Sequence, residues 1–296
     1  MRVAFFGLPL AGLLLARDGH ELVSAAICRK GAIGTRRLGK RLGSDRVSVL
    51  PPLQSDATFA RIRAARPELL VSWFWTKKIP ARVLALAPSV GVHPSLLPRH
   101  RGPDPTFWAI DSGDDVTGVT AHRLDVEYDT GAILGQRSLV IDPAWSSWTL
   151  ARALDRPSLA LLREVVRAYA DGRPPEPRVQ DEALATSAPA PSDEDLAVTW
   201  SWPAERIVRR VRAAAPWPGA WTEIGEAFVT VVRARVTQDF PRALVAGEAA
   251  VRADGVAVVR SGTDAVELLE GRGEDDEPLG PVDLARIVRA AAGAAE

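Results

Sequence analysis

Val90-Gly91-Val92-His93-Pro94-Ser95-Leu96-Leu97-Pro98-Arg99-His100-Arg101-Gly102-Pro103 is the stretch around which the chain is organised. An apolar run at residues 69–74 comes before it and predicts a buried strand. A proline-bounded segment, residues 80–87, predicts a helix leading into a second short strand that ends at Val92. After that strand come a histidine, a Ser-Leu-Leu-Pro turn and a cationic Arg-Gly loop. Ligands of open α/β sheets bind just outside the carboxyl ends of the strands, so His93 stands where chemistry is done. A lone histidine more often caps a strand; the specific word around this one favours the functional reading.

The remaining chain supplies the sheet. Residues 3–6 read as a buried strand closed by Gly7-Leu8-Pro9, residues 10–17 as a helix and residues 22–28 as the next strand. This β-α-β opening predicts parallel strands with a right-handed crossover, the unit of a doubly wound, mostly parallel sheet. The glycine turn lacks the full Gly-x-Gly-x-x-Gly pattern, so it is weak evidence for a nucleotide. Helices are predicted at residues 56–66, 104–110 and 148–169, and strands at 118–124 and 133–141. Between those last two strands lies an acidic loop, Asp125-Val126-Glu127-Tyr128-Asp129-Thr130-Gly131.

Residues 171–192 change character and become rich in proline, which predicts a stiff, extended linker. Beyond it come a helix at 203–214, four β-rich runs at 228–236, 243–251, 256–260 and 265–269, and a last helix at 282–292. Short strands at that spacing predict a small barrel. The organisation expected is a first domain over residues 1–175, a linker at 176–195 and a carboxyl-terminal domain over 196–296.

Composition narrows the classes. Hydrophobic content of 47% and charged content of 25% are those of a soluble globular protein. Lys+Arg 37 balances Asp+Glu 37, so a nucleic-acid partner must be held by a local patch. The single cysteine, Cys28, excludes an internal disulfide and fits a reducing compartment. No apolar run reaches membrane-span length, and the amino end is too short in its apolar run for a signal peptide. A cytoplasmic protein is expected. With 4 His and one Cys, and no ligand spacing among them, no metal is expected either.

The words around His93 resemble those of the formyltransferases that use 10-formyltetrahydrofolate, with the methionyl-tRNA formyltransferases as the nearest branch. That family's pattern runs Asn-x-His-x-Ser-Leu-Leu-Pro, Arg-Gly, Thr-Gly-Val-Thr and Asp-x-Gly. This chain carries His93, Ser95-Leu96-Leu97-Pro98, Arg101-Gly102, Thr117-Gly118-Val119-Thr120 and Asp129-Thr130-Gly131 in the same order. Pro216-Trp217-Pro218-Gly219-Ala220 is similar to the element that opens the family's carboxyl-terminal domain. The resemblance implies a Rossmann-type formyltransferase domain followed by an OB-like barrel.

It also implies His93 and Asp129 as catalytic groups and Ser95, Leu96, Leu97, Pro98, Arg101 and Gly102 as the active-site loop. Trp75, Thr130 and Gly131 are implied around the folate co-substrate. Arg36, Arg37, Lys40 and Arg41 are implied as contacts to initiator tRNA, although the segment between Cys28 and Val47 is short for the family's inserted basic loop. The residues alone read there as a solvated helix face with Leu38 and Leu42 inward. The arginines at 206, 209, 210 and 212 read likewise as a solvated face. The protein is expected to act as a monomer.

One position departs from the pattern: Gly91 stands where the family has its active-site asparagine. Formyl transfer to an amine passes through a tetrahedral centre, and that asparagine gives a hydrogen bond to the oxyanion. Losing one such donor costs about 2.7–4 kcal/mol in other enzymes. The vacated space invites Trp75 or Arg101. Three functions stay open: formyl transfer to methionyl-tRNA, formyl transfer to a small amine such as an amino sugar, or folate or RNA binding without catalysis.

Overall fold

The computed structural model describes residues 1–293. They divide into two compact units: Met1–Pro105, Val116–Val140 and Arg152–Pro189 form one, and Thr106–Asp115, Ile141–Ala151 and the chain from Ala190 onward form the other.

The first unit is built on a seven-stranded sheet. Its strands are β1 (Arg2–Gly7), β2 (Glu21–Ile27), β3 (Val47–Val49), β4 (Leu69–Trp73), β5 (Ser89–His93), β6 (Val116–His122) and β7 (Ile133–Val140), in the order β3-β2-β1-β4-β5-β6-β7. The first five run parallel, while β6 and β7 run antiparallel to their neighbours. Helices α1 (Pro9–Arg17), α2 (Thr35–Leu42), α3 (Asp56–Ala64) and α4 (Ala81–Leu84) are the crossovers. Parallel strands covered on both faces need continuous apolar sequence, and β4 is buried at all five positions. Proline at the first turn of α1 and the Ser55 side chain accepting the Thr58 N–H at the start of α3 fix those two helix starts.

The strand order is that of a doubly wound sheet, as the opening β-α-β unit predicts. One short element is not legible beforehand, and a second follows its reading as a solvated helix face. β3 has three residues, none fully buried, too few for a periodic signal. α2 is strongly amphipathic: Leu38 is buried and Leu42 half-buried, while Arg36, Arg37, Lys40 and Arg41 are exposed. Arg41 donates to the Ala16 carbonyl at 2.7 Å.

Two more helices, α5 (Pro105–Asp111) and α6 (Ser147–Ala170), precede the proline-rich stretch. The part of that stretch up to Pro189 belongs to the first unit and does not hang free as a linker. Arg178 pairs with Ile133, and Ser187 with Arg101, in isolated β-bridges. Its backbone is extended because it adds to existing edges, a role that proline spacing alone does not reveal.

The second unit starts with α7 (Asp193–Leu196), closed by a capping box in which Ser192 and Asp195 bond reciprocally. α8 (Ala204–Ala214) follows, then β8 (Ala220–Ile224), β9 (Ala227–Thr237), β10 (Ala249–Val251), β11 (Ala257–Arg260), β12 (Ala265–Arg272) and β13 (Pro278–Leu279), and finally α9 (Pro281–Gly293). The strands form a curled antiparallel sheet in the order β10-β11-β12-β9-β8, with β13 added to β12. Only Ala249–Val251 of the run at 243–251 is strand; turn backbone occupies the rest. β8 begins on the last two residues of the Pro-Trp-Pro-Gly-Ala-Trp word and runs on to Ile224.

The arginines of α8 are only in part a solvated face: Arg206 is exposed, while Arg209 and Arg212 are half-buried. Arg210 is 5% exposed and forms a two-point ion pair with Asp111, at 2.7 and 3.0 Å. Arg212 donates to the carbonyls of Pro143 and Trp145, and Arg206 lies over the Trp202 ring at 3.8 Å.

At the end of β4 the Trp73 indole N–H donates to the Ser158 hydroxyl at 2.8 Å in a buried contact with α6. Ser158→Ala leaves that buried donor unpaired. We expect a loss of about 1–3 kcal/mol in unfolding free energy by urea titration. Trp73→Phe combined with Ser158→Ala should cost less than the sum of the two single changes. Additive losses would show that the bond carries no coupling.

Candidate active site

β5 lies between β4 and β6, and this register builds the site. Gly91 has Ser72 beside it on the parallel side and His122 on the antiparallel side. His93, the last residue of β5, pairs with Thr120. The loop after it is tied down through that threonine. The Thr120 hydroxyl donates to the Ser95 carbonyl at 2.7 Å and accepts the Leu97 N–H at 3.0 Å. Ser95 spends its own hydroxyl on the Arg99 carbonyl, at 2.6 Å.

Asp129 arrives from the hairpin between β6 and β7. Its φ of 58° is left-handed, a conformation aspartate tolerates better than most side chains. Gln180 holds the loop there by donating to the carbonyls of Asp129 and Gly131, both at 2.7 Å. Arg101 in turn donates to the Gln180 side-chain oxygen at 2.8 and 3.0 Å and pairs with Glu182.

Three titratable side chains converge. His93 Nε2 donates to the His100 carbonyl at 2.7 Å, and its Nδ1 lies 3.3 Å from Asp129 Oδ2. The same Oδ2 accepts the Gly102 N–H at 3.0 Å. Asp129 Oδ1 lies 3.5 Å from His122 Nε2, and His122 Nδ1 donates to the Arg123 carbonyl at 2.8 Å. Burial pushes the His122 ring below the ordinary histidine range. The charge of His93 adds to that effect, while Asp129 opposes it.

These groups face a cavity of about 300 Å³ whose apolar lining includes Phe74, Trp75, Ile79 and Leu124. Trp75 meets Phe6 edge to face, and its buried indole N–H has no hydrogen-bond partner among the described residues. Lys77, Lys78 and Glu127 also line the cavity, with Lys78 and Glu127 paired at 2.8 Å.

His93, Asp129, Gly91, Gly102 and Trp75 thus come together around one cavity. Ser95, Leu96, Leu97, Pro98 and Arg101 stand behind it and shape the loop. Thr130 and Gly131 are outside the lining; a side chain at Gly131 would run into the Arg123 carbonyl at 1.9 Å, so glycine there serves backbone packing. Arg36, Arg37, Lys40 and Arg41 lie on α2 and do not line this cavity.

The space left by Gly91 is taken by neither Trp75 nor Arg101. A Cβ there would meet Leu124 Cδ2 at 2.5 Å and His122 Nε2 at 3.5 Å. Leu124 fills it because that side chain also packs on the core cluster around Phe6 and Leu70. His122 was not singled out beforehand. Its signal is the antiparallel register that sets it opposite Gly91, two residues past Thr-Gly-Val-Thr.

Comparison with known proteins agrees with this geometry. The family profile described as "Formyl transferase" matches residues 51–166, and "Formyl transferase, C-terminal domain" matches residues 192–289. The chain belongs to the formyl transferase family and is a one-carbon, formyl-transferring enzyme. Among its relatives, the methionyl-tRNA formyltransferase of Roseiflexus sp. (strain RS-1) is 36% identical, covering 99% of this chain and 94% of that protein. That of Anaeromyxobacter dehalogenans (strain 2CP-C) is 35% identical, covering 98% and 97%. The fold is shared with HypX from Aquifex aeolicus in complex with tetrahydrofolic acid, with a TM-score of 0.65 at 21% identity over 97% of this chain and 47% of that one. WlaRD, a sugar 3N-formyltransferase, gives a TM-score of 0.65 at 12% identity, over 93% and 98% of the two chains. No helix among the described residues is long and apolar enough to cross a membrane.

Because Leu124 occupies the position, Gly91→Asn should lower the thermal midpoint, at a cost of about 1–3 kcal/mol. The same change placed on Leu124→Ala should cost clearly less. Equal losses in both backgrounds, read from thermal melts, would show that Leu124 is not what asparagine meets.

Proposed function

We propose that this enzyme moves the formyl group of 10-formyltetrahydrofolate to the amino group of methionyl-tRNA. The observation that carries the acceptor is coverage: the methionyl-tRNA formyltransferases match this chain from end to end, including its second unit. The sugar N-formyltransferases share the fold at 12–22% identity, which favours no particular acceptor.

The cavity suits the co-substrate. An apolar wall with aromatic rings can stack on a pterin, and the unpartnered Trp75 N–H offers a donor to a polar edge. The reacting carbon then sits near His93 and Asp129. As the amine nitrogen bonds to the formyl carbon, the carbonyl π pair moves onto oxygen. That pair returns as the bond to N10 breaks, and N10 leaves with its electrons and takes up a proton. The two ring nitrogens of His93 face acceptors, the His100 carbonyl and Asp129, beside the place where the oxyanion develops. His93 also supplies the proton to N10, and Asp129 orients the ring. The exposed cations Arg36, Arg37 and Lys40 of α2 are available to tRNA phosphates, with Arg41 beside them bonded to the Ala16 carbonyl.

The direct test is mass spectrometry of products after incubation with 10-formyltetrahydrofolate and either methionyl-tRNA or a panel of amino sugars. Formylmethionyl-tRNA as the main product is expected. Formylation confined to a small amine would replace this reading. His93→Ala should lower kcat by about 10²–10⁴, and Asp129→Asn should lower it at little change in folate affinity. Variants that keep parental kcat would remove these residues from the chemistry.

A further inference from the structure

The chemistry above accounts for the oxyanion and the leaving nitrogen but not for the proton the attacking amine must lose. His93 already has the proton of N10 to deliver, so the proton of the amine calls for a second group. One other imidazole faces the cavity. We propose that His122 Nε2 accepts the proton of the attacking amine. This rests on the formyl-transfer reading.

Hydrogen bonding fixes where the ring keeps its proton. A carbonyl only accepts, so the 2.8 Å contact with Arg123 places a hydrogen on His122 Nδ1. A neutral ring then carries a lone pair on Nε2. That atom is 3.5 Å from Asp129 Oδ1, beyond the usual hydrogen-bond length of about 2.7–3.2 Å. It is therefore not consumed by the carboxylate. Burial disfavours the charged ring, and the neutral ring is the state a base needs before reaction.

Position 91 controls access to this atom. A Cβ built there stands 3.5 Å from Nε2, so any longer polar side chain would lie against the lone pair. A carboxamide at 91 would offer its own donor and occupy the base with it. With glycine, the neighbour at that point is the Leu124 side chain, which offers Nε2 no donor. The departure at Gly91 and the histidine at His122 are two parts of one arrangement, set opposite each other by the β5–β6 register.

The proton balance closes. As the N–C bond forms, the amine nitrogen gives its proton to His122 Nε2, and on collapse N10 receives one from His93. Asp129 has one oxygen toward each ring, so it can pass the proton from His122 back to His93. Both rings are then in their starting states when products leave.

The test joins a spectroscopic reading to kinetics. The chain has 4 His, so ¹⁵N-histidine NMR gives few signals, and the His122 pair is identified by its loss in His122→Gln. At neutral pH the expected ring is neutral, protonated on Nδ1 and bare on Nε2. His122→Gln should lower kcat for formyl transfer at least about 100-fold. KM for 10-formyltetrahydrofolate and the thermal midpoint should stay near parental values. Added imidazole should restore part of the rate of His122→Ala.

A ring protonated on Nε2 in the parent enzyme overturns the assignment. So does a His122→Gln variant whose kcat stays within about threefold of parent. If the glutamine variant melts early, the tautomer of the parent decides alone. No formyl transfer by the parent to any amine would instead overturn the functional reading, which separates the two failures.

Discussion

The candidate site depends on one half-buried carboxylate held between two loops. Asp129 accepts the Gly102 N–H and lies between two imidazoles, in a backbone conformation that few side chains other than glycine accept easily. A carboxylate removed from water is costly unless it is paired, and here the pairing comes from three separate segments. The geometry is maintained from outside by Gln180, whose amide spans the carbonyls of Asp129 and Gly131 while its oxygen is fixed by Arg101. The His93 loop and the Asp129 loop thus share a single clamp. The clamp residue comes from a proline-rich stretch that looks like a spacer in the sequence.

Gly91 shows why a family's functional residue does not carry over by alignment alone. A missing carboxamide suggests a missing oxyanion donor and a slower enzyme. The structure gives a different local physics, because the position is packed by Leu124 and borders an imidazole nitrogen. Restoring asparagine is then not the addition of one hydrogen bond to an empty space. It displaces a side chain that packs against a core cluster and sets a carboxamide against the His122 nitrogen. The effect of a substitution at 91 is set by residues 122 and 124, which come from a different strand.

Much of this was legible in the chain. The parallel strands read as apolar runs because both faces are buried, and the His93 and Asp129 words name the two loops that meet. What could not be read were consequences of antiparallel pairing and of segments returning from far away. His122 is an ordinary strand residue until the register sets it against Gly91. Thr130 and Gly131 carry the family word, yet Gly131 is demanded by the Arg123 backbone, outside the cavity lining. Ser95 looks chemical and is structural, its hydroxyl spent on its own turn. Spacing reports which residues are near in sequence; hydrogen-bond partners decide which are free to act.

The same distinction bears on the cations. The arginines of α8 form a row that suits phosphate as well as solvent, but Arg210 is buried against Asp111, Arg212 serves backbone carbonyls, and Arg206 stacks on Trp202. A guanidinium committed to a buried carboxylate is not available to a ligand, since withdrawing it leaves the acid unpaired. In α2 Leu38 provides the anchoring contact, so Arg36, Arg37 and Lys40 are exposed without a structural duty that the fold would lose. With Lys+Arg 37 against Asp+Glu 37, there is no overall field to gather a polyanion. Any attraction to tRNA must act at short range through such uncommitted groups. That is the regime in which affinity falls steeply as salt rises.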